Sequence, residues 1–202
     1  MARPSVADER RKQIIEATLK TIAEQGIART SLDRIADAAA MSRGHVRHFV
    51  GNREDLLVDT ARHFYSADDG TASILPIGIS CLDEALAYFF GGAFTESSDD
   101  DAIVLGFVEM ARTTPRIAEV LAEAHGTART RIVELVSEAH PAASPEQCAW
   151  AAEGILVAAM GNVFISDFDC DRVRTERARQ AVDAMLSTLQ AGAPSVLPAR
   201  AH

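Results

Sequence analysis

Cysteine is scarce: the 202 residues hold three, Cys81, Cys148 and Cys170. An odd number at wide separation fits neither a disulfide framework nor the paired spacing of a zinc site, so all three are expected reduced, as small apolar fillers. No run approaches the roughly 18 apolar residues that span a bilayer. The opening MARPSVADERRKQ lacks the apolar core of a signal peptide, so a cytoplasmic protein without a membrane partner is expected. Catalytic signatures are missing too: there is no phosphate-cradling glycine loop, no G-x-S-x-G elbow and no H-E-x-x-H pair. Asp99, Asp100 and Asp101, like Asp167, Asp169 and Asp171, have no histidine or glutamate at ligand spacing and fall at helix starts, where carboxylates favour the dipole. Catalysis is not expected, and neither is a metal or cofactor. Strand-like alternation and internal repeats are absent, which points to an all-α chain.

What the chain does have is an uneven charge. Its formal net charge is −9, yet the first 53 residues hold ten Lys+Arg against six Asp+Glu, while the rest hold ten against twenty-three. A basic head on an acidic remainder suggests a polyanion-binding module joined to a part with another task. The composition, 48% hydrophobic and 24% charged, is that of a soluble globular protein.

Helix signals are dense. Ile15, Leu19, Ile22 and Ala23 recur at helical spacing between Val6 and Glu24, and Gly26 follows as a stop. Thr30 with Asp33 reads as the cap of a short second helix to about Ala39. Ser42 caps a third to about Val50, and Asn52 with Asp55 a fourth from Arg53. Gly70, Pro76 and Gly78 then break the pattern, which places a domain boundary nearby. The expected division is a helix-turn-helix domain over 1–53, a linking helix over 54–68 and a regulatory domain over 69–202. Within the last, helices are expected from Cys81 to Glu96, from Ala102 to Arg112 after the break ESSDDD, from Thr114-Pro115 to about His140, from Ser144-Pro145-Glu146-Gln147 through Ile165, and from Asp171 to about Leu189. The tail AGAPSVLPARAH reads as frayed.

The second and third helices carry the candidate chemistry. Ala36, Ala40 and Val46 stand where a helix-turn-helix needs a small residue in its first helix, a tight-turn residue, and an apolar anchor facing back into the pair. With Val46 turned inward, Arg43, Gly44, His45, Arg47 and His48 are left outward. A helix so loaded fits a major groove, where arginine donates two hydrogen bonds to guanine and a helix N-terminus approaches phosphate.

The run TSLDRIADAAAMSRGHVRHFVGNREDLL, Thr30 to Leu57, resembles the DNA-binding module of the TetR family of bacterial transcriptional regulators. The likeness lies in the hydroxyl residue opening helix two, the I-A-x-x-A core, the serine cap before a basic residue and glycine, the aromatic close and the Arg-Glu lead into a leucine-rich fourth helix. It implies an N-terminal three-helix DNA-binding domain and a C-terminal helical-bundle domain for ligand binding and dimerisation. Residue by residue, it places Ser42, Arg43, Gly44, His45, Arg47 and His48 against DNA, with Arg43 and Arg47 as readers of base edges, and Thr30 and Arg53 on phosphates. Two departures stand out. Ala40 replaces the usual turn glycine, at a cost of about 1 kcal/mol for a left-handed alanine. Arg47 and Phe49 stand where tyrosines are frequent.

The helix from Glu146 to Ile165 is apolar around most of its circumference and rich in small residues, so it needs cover on several sides. By the resemblance, Ala149–Phe164 and Arg179–Leu189 pair with their copies in a homodimer through Trp150, Gly154, Val157, Ala158, Gly161, Val182, Met185 and Leu189. By the resemblance, a pocket for a small-molecule effector is expected among Phe89, Phe90, Phe94, Phe107, Met110, Trp150, Met160 and Phe164, with Glu109 or His125 as polar anchor, although residues of these types are more often simply core. The expected function is a homodimeric repressor that binds a palindromic DNA operator and is released by a small ligand. An activator of the same fold and a helical protein-binding adaptor are the alternatives.

Overall fold

The computed structural model describes residues 5–66, 72–92, 99–166, 168–169 and 171–190. The described residues form helices, with one isolated bridge between Ser66 and Ala72. They group into two compact units, neither of them continuous in sequence: Met1–Ile77 with Ser97–Ala128, and Gly78–Glu96 with Arg129–His202.

The first unit opens with α1 (Val6–Gln25), started by a capping box. Ser5 Oγ accepts from the Asp8 N–H at 3.2 Å and donates to the Asp8 carboxylate at 2.7 Å, and these bonds from Ser5 hold the carboxyl below the usual range. Gly26, at φ 78°, ends the helix in a conformation that penalises a side chain. A 3₁₀ turn (Ile27–Arg29) follows, then α2 (Leu32–Ala38), α3 (Arg43–Val50) and α4 (Arg53–Tyr65). The cap of α2 is Ser31, not Thr30. Ser31 is extended and its hydroxyl accepts from the Arg34 N–H, whereas Thr30 closes the 3₁₀ turn and its hydroxyl reaches back to the Gly26 carbonyl at 3.0 Å. Ser42 and Asn52 cap α3 and α4 as the sequence indicates.

Two apolar clusters hold this unit. Ile14, Ile15, Ile35, Ala36, Val46, Val50 and Leu56 fasten the first four helices together. Ile22, Ile27, Leu57, Val58, Ala61 and Tyr65 bury against Ile103 and Phe107 of α6 (Asp99–Ala111) and Ile117, Val120 and Ala124 of α7 (Pro115–Ala139). That second cluster is why the packing units differ from the sequential division drawn from charge and turn residues: α6 and the first half of α7 are built onto the N-terminal helices. Gly106 makes the contact close, since a Cβ there would stand 3.0 Å from the Ile27 Cβ. α6 also begins three residues before the expected Ala102, because carboxylates in a first turn support a helix rather than break it.

Tyr65 lies in the same cluster, and burial pushes its phenol up to about 12. An unfolded tyrosine ionises near 10, so above that pH the unfolded chain releases a proton that the folded chain retains. The stabilisation is whole below about pH 10 and is lost as the pH approaches 12, a fall of about 2–3 kcal/mol from this residue alone. In denaturant titrations between pH 9 and 11.5, Tyr65→Phe is expected to lose less stability than the parent.

The second unit contains α5 (Leu82–Phe89), the later half of α7, α8 (Pro145–Ser166) and α9 (Arg172–Gln190). α5 is shorter than the Cys81–Glu96 expected, ending at Phe89, and residues 93–98 lie outside those described. Cys81 is exposed at its start, not a core filler, because an N-cap residue sits at the helix rim; Cys148 is buried and Cys170 lies outside the described residues. α8 starts with a reciprocal cap in which Ser144 N–H donates to Gln147 Oε1 at 2.8 Å and Gln147 N–H to Ser144 Oγ at 3.2 Å. Asp171 caps α9 through the Val173 N–H at 2.9 Å. By length and composition α8 is sufficient to cross a bilayer, contrary to the sequence reading; one face, including Ala152, Ile155, Leu156, Ala159 and Val163, is buried inside this unit. The buried Asn162 on that face bonds Thr175 at 3.1 Å and accepts from Arg174 at 3.0 Å, so a single polar group pins α8 to α9.

Candidate nucleic-acid interface

α3 is short, and its two faces have opposite chemistry. Val46 and Val50 are buried against Ile14, Ile35 and Leu56, with Phe49 packed on the same cluster, and the i, i+4 spacing turns Arg47 and His48 outward. Arg43, Gly44, His45, Arg47 and His48 are all exposed. Ser42 Oγ accepts from the His45 N–H at 3.2 Å, leaving the other N–H groups of the first turn pointing past the helix end. An added Cβ at Gly44 would meet nothing nearer than Ser42 Oγ at 4.0 Å, so the glycine leaves open space above the backbone. Phe49 is half-buried, and its ring lies 5.7 Å from that of His45 and 5.3 Å from that of His48, fixing both imidazoles on the outward face.

The turn that aims α3 is also settled. Ala36 and Ala39 are buried, and Ala40 takes φ 52°, the left-handed state expected of it. Gln13 of α1 donates to the Ala39 carbonyl at 2.9 Å, which ties the turn to the first helix. Ala40→Gly is therefore expected to raise stability by about 1 kcal/mol in urea unfolding, as the Cβ penalty disappears. No gain would mean that the turn relaxes around the alanine.

The tertiary contacts of this head decide which of its candidate side chains face outward. Arg43 Nη1 pairs with Asp33 of α2 at 3.2 Å, so that cation is partly held; Arg47 has no ion pair among the described residues. Thr30 is 1% exposed with its hydroxyl on Gly26, so the structure does not present it to an outside phosphate. Arg53 does not extend outward either: Nε donates to the Thr30 carbonyl at 2.5 Å and Nη2 to the Ile27 carbonyl at 2.6 Å. Beside it, Arg116 of α7 bonds Asp55 at 2.7 Å and reaches Glu54 at 4.0 Å, and that bond lowers the Asp55 carboxyl while raising the guanidinium.

In the second unit, α8 carries an outward apolar stripe. Trp150 is 51% exposed and Val157 62%, with Gly154, Ala158 and Gly161 half-buried between them and Ile165 and Phe168 continuing it. Val182 and Leu189 are buried inside their own protomer, not outward as expected, because they are on the face of α9 that packs on α8. Gly154 and Met185 meet within one chain as well: a Cβ on Gly154 would stand 2.5 Å from Met185 Sδ.

The expected pocket residues are scattered. Phe107 is fully buried in the first unit's core and Met110 packs on it, while Glu109 is exposed and His125 half-buried. Phe89 is buried, Phe90, Met160 and Phe164 are half-buried, and Phe94 lies outside the described residues. Trp150 faces outward rather than into a cavity. Two grooves stand out among the described residues. One, of about 370 Å³, lies in the second unit between Cys81, Leu82, Asp83 and Leu86, the Ala139-His140 end of α7, and Arg179, Asp183, Leu186 and Ser187 of α9. The other, of about 620 Å³, lies in the first unit, with Ile27, Arg53, Glu54, Glu109, Met110 and Arg112 among its walls. Of the expected pocket residues, Met110 and the anchor Glu109 line the second groove, and the first is lined by none of them.

Comparison with known proteins is consistent over the length of the chain. The family model of bacterial regulatory proteins of the tetR family matches residues 14–60, and that of the BetI-type transcriptional repressor C-terminal region matches residues 84–191. The HTH-type transcriptional regulator BetI of Paraburkholderia xenovorans is 41% identical over 63 residues, 31% of this chain and 32% of that protein; its counterpart from Burkholderia thailandensis is 40% identical over the same length. The match thus spans about a third of the length of these curated relatives. Among solved structures, a TetR-family regulator from Cytophaga hutchinsonii superposes with a TM-score of 0.74 at 16% identity, covering 93% of this chain and 98% of that one. A transcriptional regulator from Saccharomonospora viridis, solved in complex with choline, gives 0.70 at 16% identity, covering 89% and 96%. At these identities the structures speak for the fold.

Proposed function

Because the chain belongs to the TetR family of bacterial transcriptional regulators, a family of regulators and not of enzymes, we propose that it acts in the cytoplasm as a homodimeric repressor on a palindromic DNA operator. The observation that carries this reading is the outward face of α3. Arg43, His45, Arg47 and His48 surround a glycine on a helix whose other face is locked into the core by Val46 and Val50. Such a rod fits the major groove, with Arg47 unencumbered to donate to a base edge and the first turn of α3 toward phosphate. Asp33 pairs with Arg43 at 3.2 Å, so Arg43 must exchange one carboxylate for DNA.

Dimerisation supplies the second reading head. The stripe of Trp150, Val157 and Gly161 is the surface of α8 that its own protomer leaves uncovered, and a symmetric copy would cover it. A small organic cation is the effector to try first, since one fold neighbour was solved with choline and the matched C-terminal model is that of BetI-type repressors. In the second unit's groove, Asp83 supplies a carboxylate for such a cation, whereas Asp183 is paired with Arg179 at 2.8 Å. Effector binding would release DNA by favouring a separation of the two heads that no longer fits successive grooves.

The test is selection of bound duplexes from a random-sequence pool, followed by titration at several salt concentrations. A recovered palindrome bound with steep salt dependence is the expected result. A folded, effector-free protein that ignores every duplex at low ionic strength would overturn the reading.

A further inference from the structure

Arg53 occupies an odd place for a cation. It is the first residue of α4, where the helix dipole presents its positive end and arginine is locally unfavourable. The structure shows what compensates: the guanidinium fork spans two carbonyls of the 3₁₀ turn, that of its first residue Ile27 at 2.6 Å and that of its cap Thr30 at 2.5 Å. Thr30 immediately precedes Ser31, the cap of α2. The fork therefore joins the first turn of α4 to the entry of the reading head, across more than twenty residues of sequence.

The next two residues of that turn are held from elsewhere. Glu54 and Asp55 face Arg116 at the start of α7, with Asp55 bonded at 2.7 Å. One helical turn is thus gripped on one side by α7 through Arg116 and on the other grips, through Arg53, the 3₁₀ turn that leads into α2. We infer that Arg53 is a positioning residue for DNA recognition: it sets the angle of the α2–α3 pair on α4 and does not itself hold a phosphate. This rests on the DNA-binding reading above and adds how the reading head is aimed. A lysine would keep the charge but not the planar fork, whose Nε and Nη2 meet the two carbonyls in a fixed geometry that a compact ammonium does not reproduce.

The experiment uses the full chain, the best duplex that the wild-type protein recovers from a random pool, and an unrelated duplex of equal length. Binding of wild type, Arg53→Lys and Arg53→Gln is titrated across salt. Both variants are expected to lose about tenfold or more on the recovered duplex, while their affinity for the unrelated duplex and their salt slope match wild type. A phosphate contact would behave otherwise: Arg53→Lys would keep wild-type affinity, and Arg53→Gln would weaken both duplexes equally with a salt slope smaller by about 1. Any loss shared equally by the two duplexes, or no loss in either variant, overturns the inference. Should Arg53→Gln fail to fold, Arg53→Lys decides alone. Wild-type protein that binds neither duplex sinks the DNA-binding reading instead.

Discussion

Val157→Asp is expected to yield a folded monomer that has lost operator binding. Val157 is 62% exposed in the protomer, so the substitution costs the isolated fold little. In a symmetric interface the same aspartate is buried opposite apolar side chains, and its copy is buried with it. An unpaired carboxylate in such a setting is worth several kcal/mol, enough to shift the dimer equilibrium by more than about a hundredfold. Sedimentation equilibrium reads the association directly, and circular dichroism confirms the fold. A monomer reads only one half-site, so DNA binding should fall with dimerisation. A variant that remains dimeric would place the interface on another surface. Gly154 is the less useful probe, because a side chain there strikes Met185 of the same chain and disturbs α8 on α9 whether or not a partner is present.

Arg47→Ala is expected to weaken binding to the recovered duplex more than Arg43→Ala does. The two guanidiniums leave the same face of α3, but Arg43 is paired with Asp33 at 3.2 Å and Arg47 has no ion pair among the described residues. A base contact is worth about 1–3 kcal/mol, and a dimer makes it twice, so the whole complex should lose about 2–6 kcal/mol, at least thirtyfold in affinity. Base preference at one position of each half-site should relax as well. If Arg47 touches only phosphate, the loss is smaller, sequence preference is retained and the salt slope falls by about 1 per half-site. Removing Arg43 also frees Asp33, whose carboxylate then repels the duplex, so Arg43→Ala with Asp33→Ala is the comparison that isolates the arginine.

The parts of the fold that were legible beforehand share a physical trait. A cap and the N–H it serves are three residues apart, so Ser42, Asn52 and Ser144 announce their helices without knowledge of the rest of the chain. Ala40 in the left-handed turn and Val46 facing inward follow from the geometry of two helices joined by a short connection. Thr30 shows the limit even of local reading: two adjacent hydroxyls competed for one cap, and the 3₁₀ turn took the first. The placement of charges along the chain separated the basic head from the acidic remainder.

Long side chains and helix faces are another matter. Arg53 has the same charge and reach whether it goes to a phosphate or to the carbonyls of Ile27 and Thr30, and only the meeting of α4 with the 3₁₀ turn selects between them. Val182 and Leu189 are apolar residues of a helix that could bury either side, and contact with α8 chose the inward one. The order of charges, caps and small residues along the chain was enough for an all-helical protein with a cationic reading helix. Which arginine is tied into the fold and which is free of ion pairs among the described residues, and which apolar stripe stays exposed, came from segments far apart in sequence competing for the same partners in space.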